Sequence, residues 1–250
     1  MKNDLFSIGP LTIHGYGLMI ALGFLLCVGM AMYRAKRHDL DPEAIVDIAL
    51  LGIISGFLGA KLLYIIVEFK AFLANPLGVL GSEGFVVYGG VAAGVLAGLI
   101  YCRRKKLVFL EYFDLAAPAI ALAQGFGRLG CLLAGCCYGR ETDAWFGITF
   151  PQGALAPSGV KLIPTQLISS VGDFLIVLLL ILYHKRAKHT GDVGAAYMLL
   201  YGVGRFLVEF LRSDERGSIG FLSTSQVISI VVVAGAFLLF WRNRKREANI

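Results

Sequence analysis

The chain has 250 residues, 57% of them hydrophobic and only 16% charged, with a mean hydropathy of +0.74. That excess of apolar material excludes a water-soluble globular domain and points to a membrane protein. Lys and Arg number 23 against 17 Asp and Glu, a net charge of +6, but the basic residues fall in short clusters between apolar runs, a pattern of membrane topology that argues against a nucleic-acid partner.

About 20 apolar residues cross a hydrocarbon core at helical rise. Seven stretches of that kind follow one another, with approximate limits 12–33, 44–68, 85–102, 113–135, 166–183, 193–211 and 221–241. The expected fold is an all-α integral membrane protein of seven transmembrane helices in a single polytopic domain, with one sizeable hydrophilic connection over about 136–165. Met1-Lys2-Asn3-Asp4 lead into the first run with no small-residue cleavage site, so the first span is expected to be retained.

Clusters of basic residues follow the first, third, fifth and seventh spans: Arg34, Lys36 and Arg37; Arg103, Arg104, Lys105 and Lys106; Lys185, Arg186 and Lys188; Arg242, Arg244, Lys245 and Arg246. These 14 lie on one side, against Lys2, Lys70, Arg140, Lys161, Arg212 and Arg216 on the other, with Lys61, Arg128 and Arg205 inside spans. The bias predicts an outer N-terminus and a cytoplasmic C-terminus. The second and third spans carry small residues (Gly52, Gly56 and Gly59; Gly89, Gly90 and Gly94) that let helices approach closely in lipid.

Polar residues within the spans carry the functional signal. An arginine at bilayer depth costs about 2.5 kcal/mol even on the most forgiving scale, so it needs an anionic partner. Arg128 sits among glycines in the stretch from Gly125 to Gly139. Arg205, Glu209 and Arg212 are spaced to line one helix face, so Glu209 pairs with one or both arginines. His14 and Tyr16 open the first span, Tyr88 the third and Gln166 the fifth, all on the outer side. Arg128 and Arg205 together suit a phosphate, onto which a guanidinium forks two hydrogen bonds. A phospholipid headgroup is the phosphate most available at that depth.

Cys131, Cys136 and Cys137, with no histidine close by, match no zinc spacing, and no metal or cofactor is expected. A disulfide joining Cys131 to Cys136 or Cys137 on the oxidising side is one reading of them, apolar packing a second and thiol chemistry a third. Cys27 and Cys102 are expected to be packing residues.

Six motifs stand in one order along the spans: His14-Gly15-Tyr16-Gly17-Leu18-Met19, Tyr88-Gly89-Gly90, Gly127-Arg128-Leu129-Gly130, Pro164-Thr165-Gln166-Leu167, Tyr201-Gly202 with Arg205, Glu209-Phe210 and Arg212, and Leu222-Ser223 with Gln226. In order and spacing the chain resembles the prolipoprotein diacylglyceryl transferases over essentially its whole length. The resemblance implies a multi-pass enzyme of the bacterial plasma (inner) membrane with its site facing the outer leaflet. Such an enzyme moves the diacylglyceryl group of phosphatidylglycerol onto the lipobox cysteine thiol of a prolipoprotein signal peptide and releases glycerol phosphate. It implies Arg128, Arg205, Tyr88 and Tyr16 as catalytic, and Arg128, Gly130, Gly139, Gln166, Glu209, Arg212 and His14 along the substrate. The chain departs from the family where Tyr88 replaces the usual His, where Cys131, Ala134 and Cys136 replace Asn, Asn and Glu, and where Ile168-Ser169 replace Tyr-Glu. A divergent member with another acceptor, and a non-catalytic lipid or anion carrier, are the alternative readings.

Overall fold

A computed structural model describes residues 4–8, 11–214 and 217–247. Lys2 and Arg216 of the charge pattern lie outside the described residues. The chain opens with a hairpin of β1 (Asp4–Ile8) and β2 (Leu11–His14), followed by α1 (Gly15–Arg37), α2 (Pro42–Val67), α3 (Phe69–Ala74), α4 (Pro76–Gly81), α5 (Val87–Lys105) and α6 (Phe109–Ala134). A short hairpin of β3 (Ile148–Thr149) and β4 (Lys161–Leu162) precedes α7 (Thr165–His184) and α8 (Asp192–Glu209). A third hairpin, β5 (Ser218–Ile219) with β6 (Leu222–Ser223), leads into α9 (Thr224–Glu247).

Every predicted span coincides with a helix. Among the described residues, five helices are long and apolar enough to cross a membrane: Gly15–Arg37, Pro42–Val67, Phe109–Ala134, Thr165–His184 and Thr224–Lys245. The other two are more polar. Helix α5 ends in Arg103, Arg104 and Lys105, and α8 carries Asp192, Arg205 and Glu209. The small strands and the helices α3 and α4 were not expected, because each is too short to leave a periodic signal in the sequence.

Two compact units form, one from Met1–Met30 with Phe113–Ile250 and the other from Ala31–Tyr112. In the second unit, α2 starts at Asp41, whose side chain accepts a hydrogen bond from the Glu43 amide at 2.9 Å, with Pro42 in the first turn. Helices α2 and α5 pack through small residues: a Cβ on Gly89 would collide with the carbonyl oxygen of Gly59. Lys61, inside the α2 span, donates from Nζ to the carbonyl of Ser82 at 2.7 Å and to that of Gly84 at 3.4 Å, which explains a cation at that depth.

In the first unit, Ala117 and Ala121 of α6, Ile176 and Leu180 of α7, and Val193 and Tyr197 of α8 form a buried core. Asp114 of α6 fixes the start of α8 by accepting from the amides of Gly191 at 2.6 Å and Gly194 at 2.7 Å. These N–H groups would otherwise lack partners at the helix N-terminus. The connection between α6 and α7 folds back on itself around Phe150, Ala156 and Leu162, which holds both of its ends near the end of α6.

Candidate active site

Three helices of the first unit bring charged side chains to one small cavity. Arg128 of α6, Ser169 and Asp173 of α7, and Tyr201 and Arg205 of α8 line a space of about 60 Å³. That volume holds a few waters or a phosphate-sized group. A larger cavity of about 560 Å³, between Tyr183, Arg186, His189, Trp241 and Arg244, contains none of the predicted site residues. The chemistry therefore concentrates in the smaller one.

The two arginines differ in how they are held. Arg205 Nη1 pairs with Glu209 Oε2 at 2.6 Å, with side chains only 14% and 3% exposed, and Nη2 donates to Ser225 Oγ of α9 at 2.9 Å. Its charge is largely balanced within the protein. Arg128 makes no hydrogen bond or ion pair with any described residue, and it is half-buried. Around it stand Tyr201, Cys131, Asp173 and Cys137, close enough to act on it electrostatically. The cavity thus contains one guanidinium committed to the fold and one held in place by the helix but open to an incoming anion.

Arg212 is not where helical periodicity put it. Helix α8 ends at Glu209, and Arg212 follows in a bridge with Gly139, so it leaves the face of Arg205 and Glu209. It binds Asp214 through two bonds, from Nε to Oδ1 at 2.9 Å and from Nη2 to Oδ2 at 2.6 Å. Glu209 forms its ion pair with Arg205, and Arg212 stays within electrostatic reach of it. The nearby Asp214 offers Arg212 a planar fork that the helix could not supply.

Glycines at two predicted positions act by close approach. At Gly130 a Cβ would press on the ring, at 3.2 Å, and the carbonyl oxygen, also at 3.2 Å, of Tyr16 on α1, so Gly130 seats Tyr16 beside α6. At Gly139 a Cβ would lie 2.7 Å from both the Cβ and the carbonyl oxygen of Ile163 and 2.9 Å from that of Leu211. The Gly139 amide donates to the Ile163 carbonyl at 3.0 Å. Gly139 therefore locks the loop between the chain entering α7 and the chain leaving α8.

Gln166 is buried and does not line the cavity. Its Nε2 donates to the carbonyl of Cys136 at 2.7 Å, while Thr165 Oγ1 donates to that of Cys137 at 2.6 Å, so both hold the cysteine turn. His14 is exposed at the end of β2, with Nδ1 2.7 Å from Asp4 Oδ1. Tyr88 lies in the first turn of α5, in the second unit.

Cys131, Cys136 and Cys137 are free thiols. The disulfide among them is not formed, yet their sulfur atoms all lie within 4.8 Å of one another. Gly135 (φ 75°) and Cys137 (φ 61°) turn the chain back over the last turn of α6, a fold-back that residue spacing alone does not reveal. The neighbouring Cys131 and Cys136 thiols hold the Cys137 thiol below its usual range, with burial opposing and Arg212 and Arg128 assisting.

Sequence reasoning passed over Asp173, Ser169 and Tyr201 as cavity residues. Asp173 is buried, and its Oδ2 has no hydrogen-bond partner among the described residues. The signal was present: a single carboxylate midway along an apolar span is as costly as an arginine there. Tyr201 is held by its stack on Tyr197, with ring centroids 5.8 Å apart and planes at 20°.

A family model described as prolipoprotein diacylglyceryl transferase matches residues 3–242. The chain is similar to a phosphatidylglycerol–prolipoprotein diacylglyceryl transferase of Clostridium tetani, 45% identical over 249 residues that cover 99% of this chain and 100% of the relative. It is also similar to one from Clostridium perfringens, designated transferase 2, at 44% over 246 residues, 98% of this chain and 96% of the relative. A third relative, from Finegoldia magna, is 36% identical over 249 residues, 98% and 97% of the two chains.

Proposed function

The chain belongs to the prolipoprotein diacylglyceryl transferase family, and from that footing we propose that it transfers the diacylglyceryl group of phosphatidylglycerol to the lipobox cysteine thiol of a prolipoprotein. The observation that carries the site assignment is Arg128, without an ion pair among the described residues, facing the same cavity as the Glu209-bound Arg205. The substrate phosphate supplies the ion-pair partner that Arg128 does not have among the described residues.

Sulfur attacks the glycerol carbon that bears the phosphate ester. The new C–S bond forms as the C–O bond breaks, and the leaving glycerol phosphate takes the electron pair. Charge therefore grows on the phosphate in the transition state, where guanidinium donors fixed in advance stabilise it without reorganising. The thiol loses its proton, since the thiolate is the nucleophile. Tyr16, seated against Gly130, and Tyr88 are the groups assigned to pass that proton on to water through their hydroxyls. Asp173 Oδ2, without a hydrogen-bond partner among the described residues and on the cavity wall, is suited to accept from a hydroxyl of the headgroup glycerol. Gln166 and Gly139 act on substrate through the loop they position, and His14 and Arg212 are assigned to substrate binding.

The setting is the bacterial inner membrane, with seven spans, the N-terminus outside, the C-terminus cytoplasmic and the cavity opening toward the outer leaflet. The basic clusters at the C-terminal ends of α1, α5, α7 and α9 support that orientation. The test is transfer to a lipobox peptide from vesicles whose anionic lipid is phosphatidylglycerol, compared with vesicles in which phosphatidylethanolamine replaces it. A diacylglyceryl mass gain on the peptide cysteine from the first alone is expected. Equal transfer from both would remove the headgroup-hydroxyl assignment, and transfer from neither would remove the reaction.

A further inference from the structure

We propose that Cys131, Cys136 and Cys137 form a three-thiolate site for a thiophilic divalent ion of the zinc and cadmium class, a role separate from diacylglyceryl transfer. Three features converge on it. The sulfurs come from the last turn of α6 and from the two residues just beyond Gly135, and all lie within 4.8 Å of one another. Zinc–sulfur bonds of about 2.3 Å in a tetrahedral shell place neighbouring sulfurs about 3.8 Å apart. Closing the site thus takes movements of about 1 Å, within reach of side-chain rotation.

The backbone that presents the sulfurs is held from outside the cluster. Gln166 Nε2 binds the Cys136 carbonyl at 2.7 Å, Thr165 Oγ1 binds that of Cys137 at 2.6 Å, and the Cys136 amide donates to the Cys131 carbonyl at 3.1 Å. Gly135 and Cys137 adopt the left-handed backbone that makes this fold-back. Gln166 and Thr165 are buried, and through the backbone they fix two of the three ligands, as outer partners of metal ligands commonly do.

The donor set selects the ion. Three sulfurs without a carboxylate or imidazole among them favour soft ions and disfavour magnesium and calcium, which take oxygen ligands. Each thiol gives its proton to solvent as the ion binds. Three thiolates around a divalent ion carry one net negative charge, and Arg128 and Arg212 lie close enough to act on Cys137 electrostatically and offset it. The three sulfurs leave a fourth position for water.

The experiment titrates Cd²⁺ into the full-length, fully reduced protein, purified in detergent without a polyhistidine tag, and follows thiolate-to-cadmium charge-transfer absorption. One ion per chain is expected to saturate the band. Its affinity should fall at least about 100-fold in Cys131→Ser, Cys136→Ser and Cys137→Ser and stay within about twofold in the Cys27→Ser/Cys102→Ser double variant. A companion measurement needs no variant: bound Cd²⁺ should protect these three cysteines from alkylation, read by mass spectrometry of the peptides. A band that does not saturate at one ion, one that survives Cys131→Ser or one lost in the Cys27/Cys102 variant would each overturn the site, as would alkylation unaffected by Cd²⁺.

Discussion

Replacing Arg128 with alanine should separate catalysis from folding more cleanly than any other change at the cavity. Arg128 has no ion pair among the described residues, so its removal breaks none of those pairs. Asp173, the nearby acid, still has Arg205 within electrostatic reach. Loss of a single donor to developing charge costs about 10²–10³ in rate, and an arginine acting on a transferring phosphoryl group up to about 10⁵. We expect kcat/KM to fall about 10³-fold, equivalent to about 4 kcal/mol of transition-state stabilisation, with the amount and thermal stability of the membrane-inserted protein unchanged. The assay is diacylglyceryl gain on a lipobox peptide from phosphatidylglycerol vesicles, alongside thermal unfolding in detergent. A kcat/KM within tenfold of the parent would refute the phosphate role of Arg128. A loss of folded protein matching the loss of rate would show that Arg128 is a structural residue instead.

Arg205→Ala, by contrast, breaks the buried ion pair with Glu209, 3% exposed, and should destabilise the protein by about 3–5 kcal/mol; adding Glu209→Gln should restore thermal stability without restoring transfer, and a stable single variant would show that the pair does not anchor α8. Gly139→Ala forces a Cβ against Ile163 and the carbonyl of Leu211 and should lower stability by about 1–3 kcal/mol, read as a drop in Tm; an unchanged Tm would mean the loop can give way. Asp114→Ala removes two hydrogen bonds to the start of α8 and should cost about 2 kcal/mol, with Asp114→Asn intermediate. Tyr88→Phe should slow transfer by at least about tenfold if its hydroxyl handles the thiol proton; an unchanged rate takes Tyr88 out of that role.

The helices were legible because each expected span needs about 20 apolar residues in a row, and the chain supplies such runs between basic clusters. The pairing of Arg128 with Arg205 in one cavity was legible for a related reason: cations in apolar segments must converge on something, and there are few of them. Arg212 was misread because spacing assumes the helix continues, whereas α8 stops at Glu209 and the next residues form a bridge to Gly139. For Gln166 the sequence left open whether a polar residue at a span entrance serves substrate or backbone, and only the fold shows its Nε2 bound to the Cys136 carbonyl. The meeting of the three cysteine sulfurs depends on positive φ at Gly135 and at Cys137. For Cys137 that conformation runs against residue preference, so no sequence rule would have anticipated it.

The most direct test of the transferase account is product balance. The purified chain is placed in vesicles of phosphatidylglycerol carrying a labelled headgroup glycerol, a lipobox peptide is added, and both products are quantified. The account predicts one labelled glycerol phosphate released for every diacylglyceryl thioether formed on the peptide cysteine. Thioether formed without glycerol phosphate, or no thioether while a family enzyme is active alongside, would contradict it.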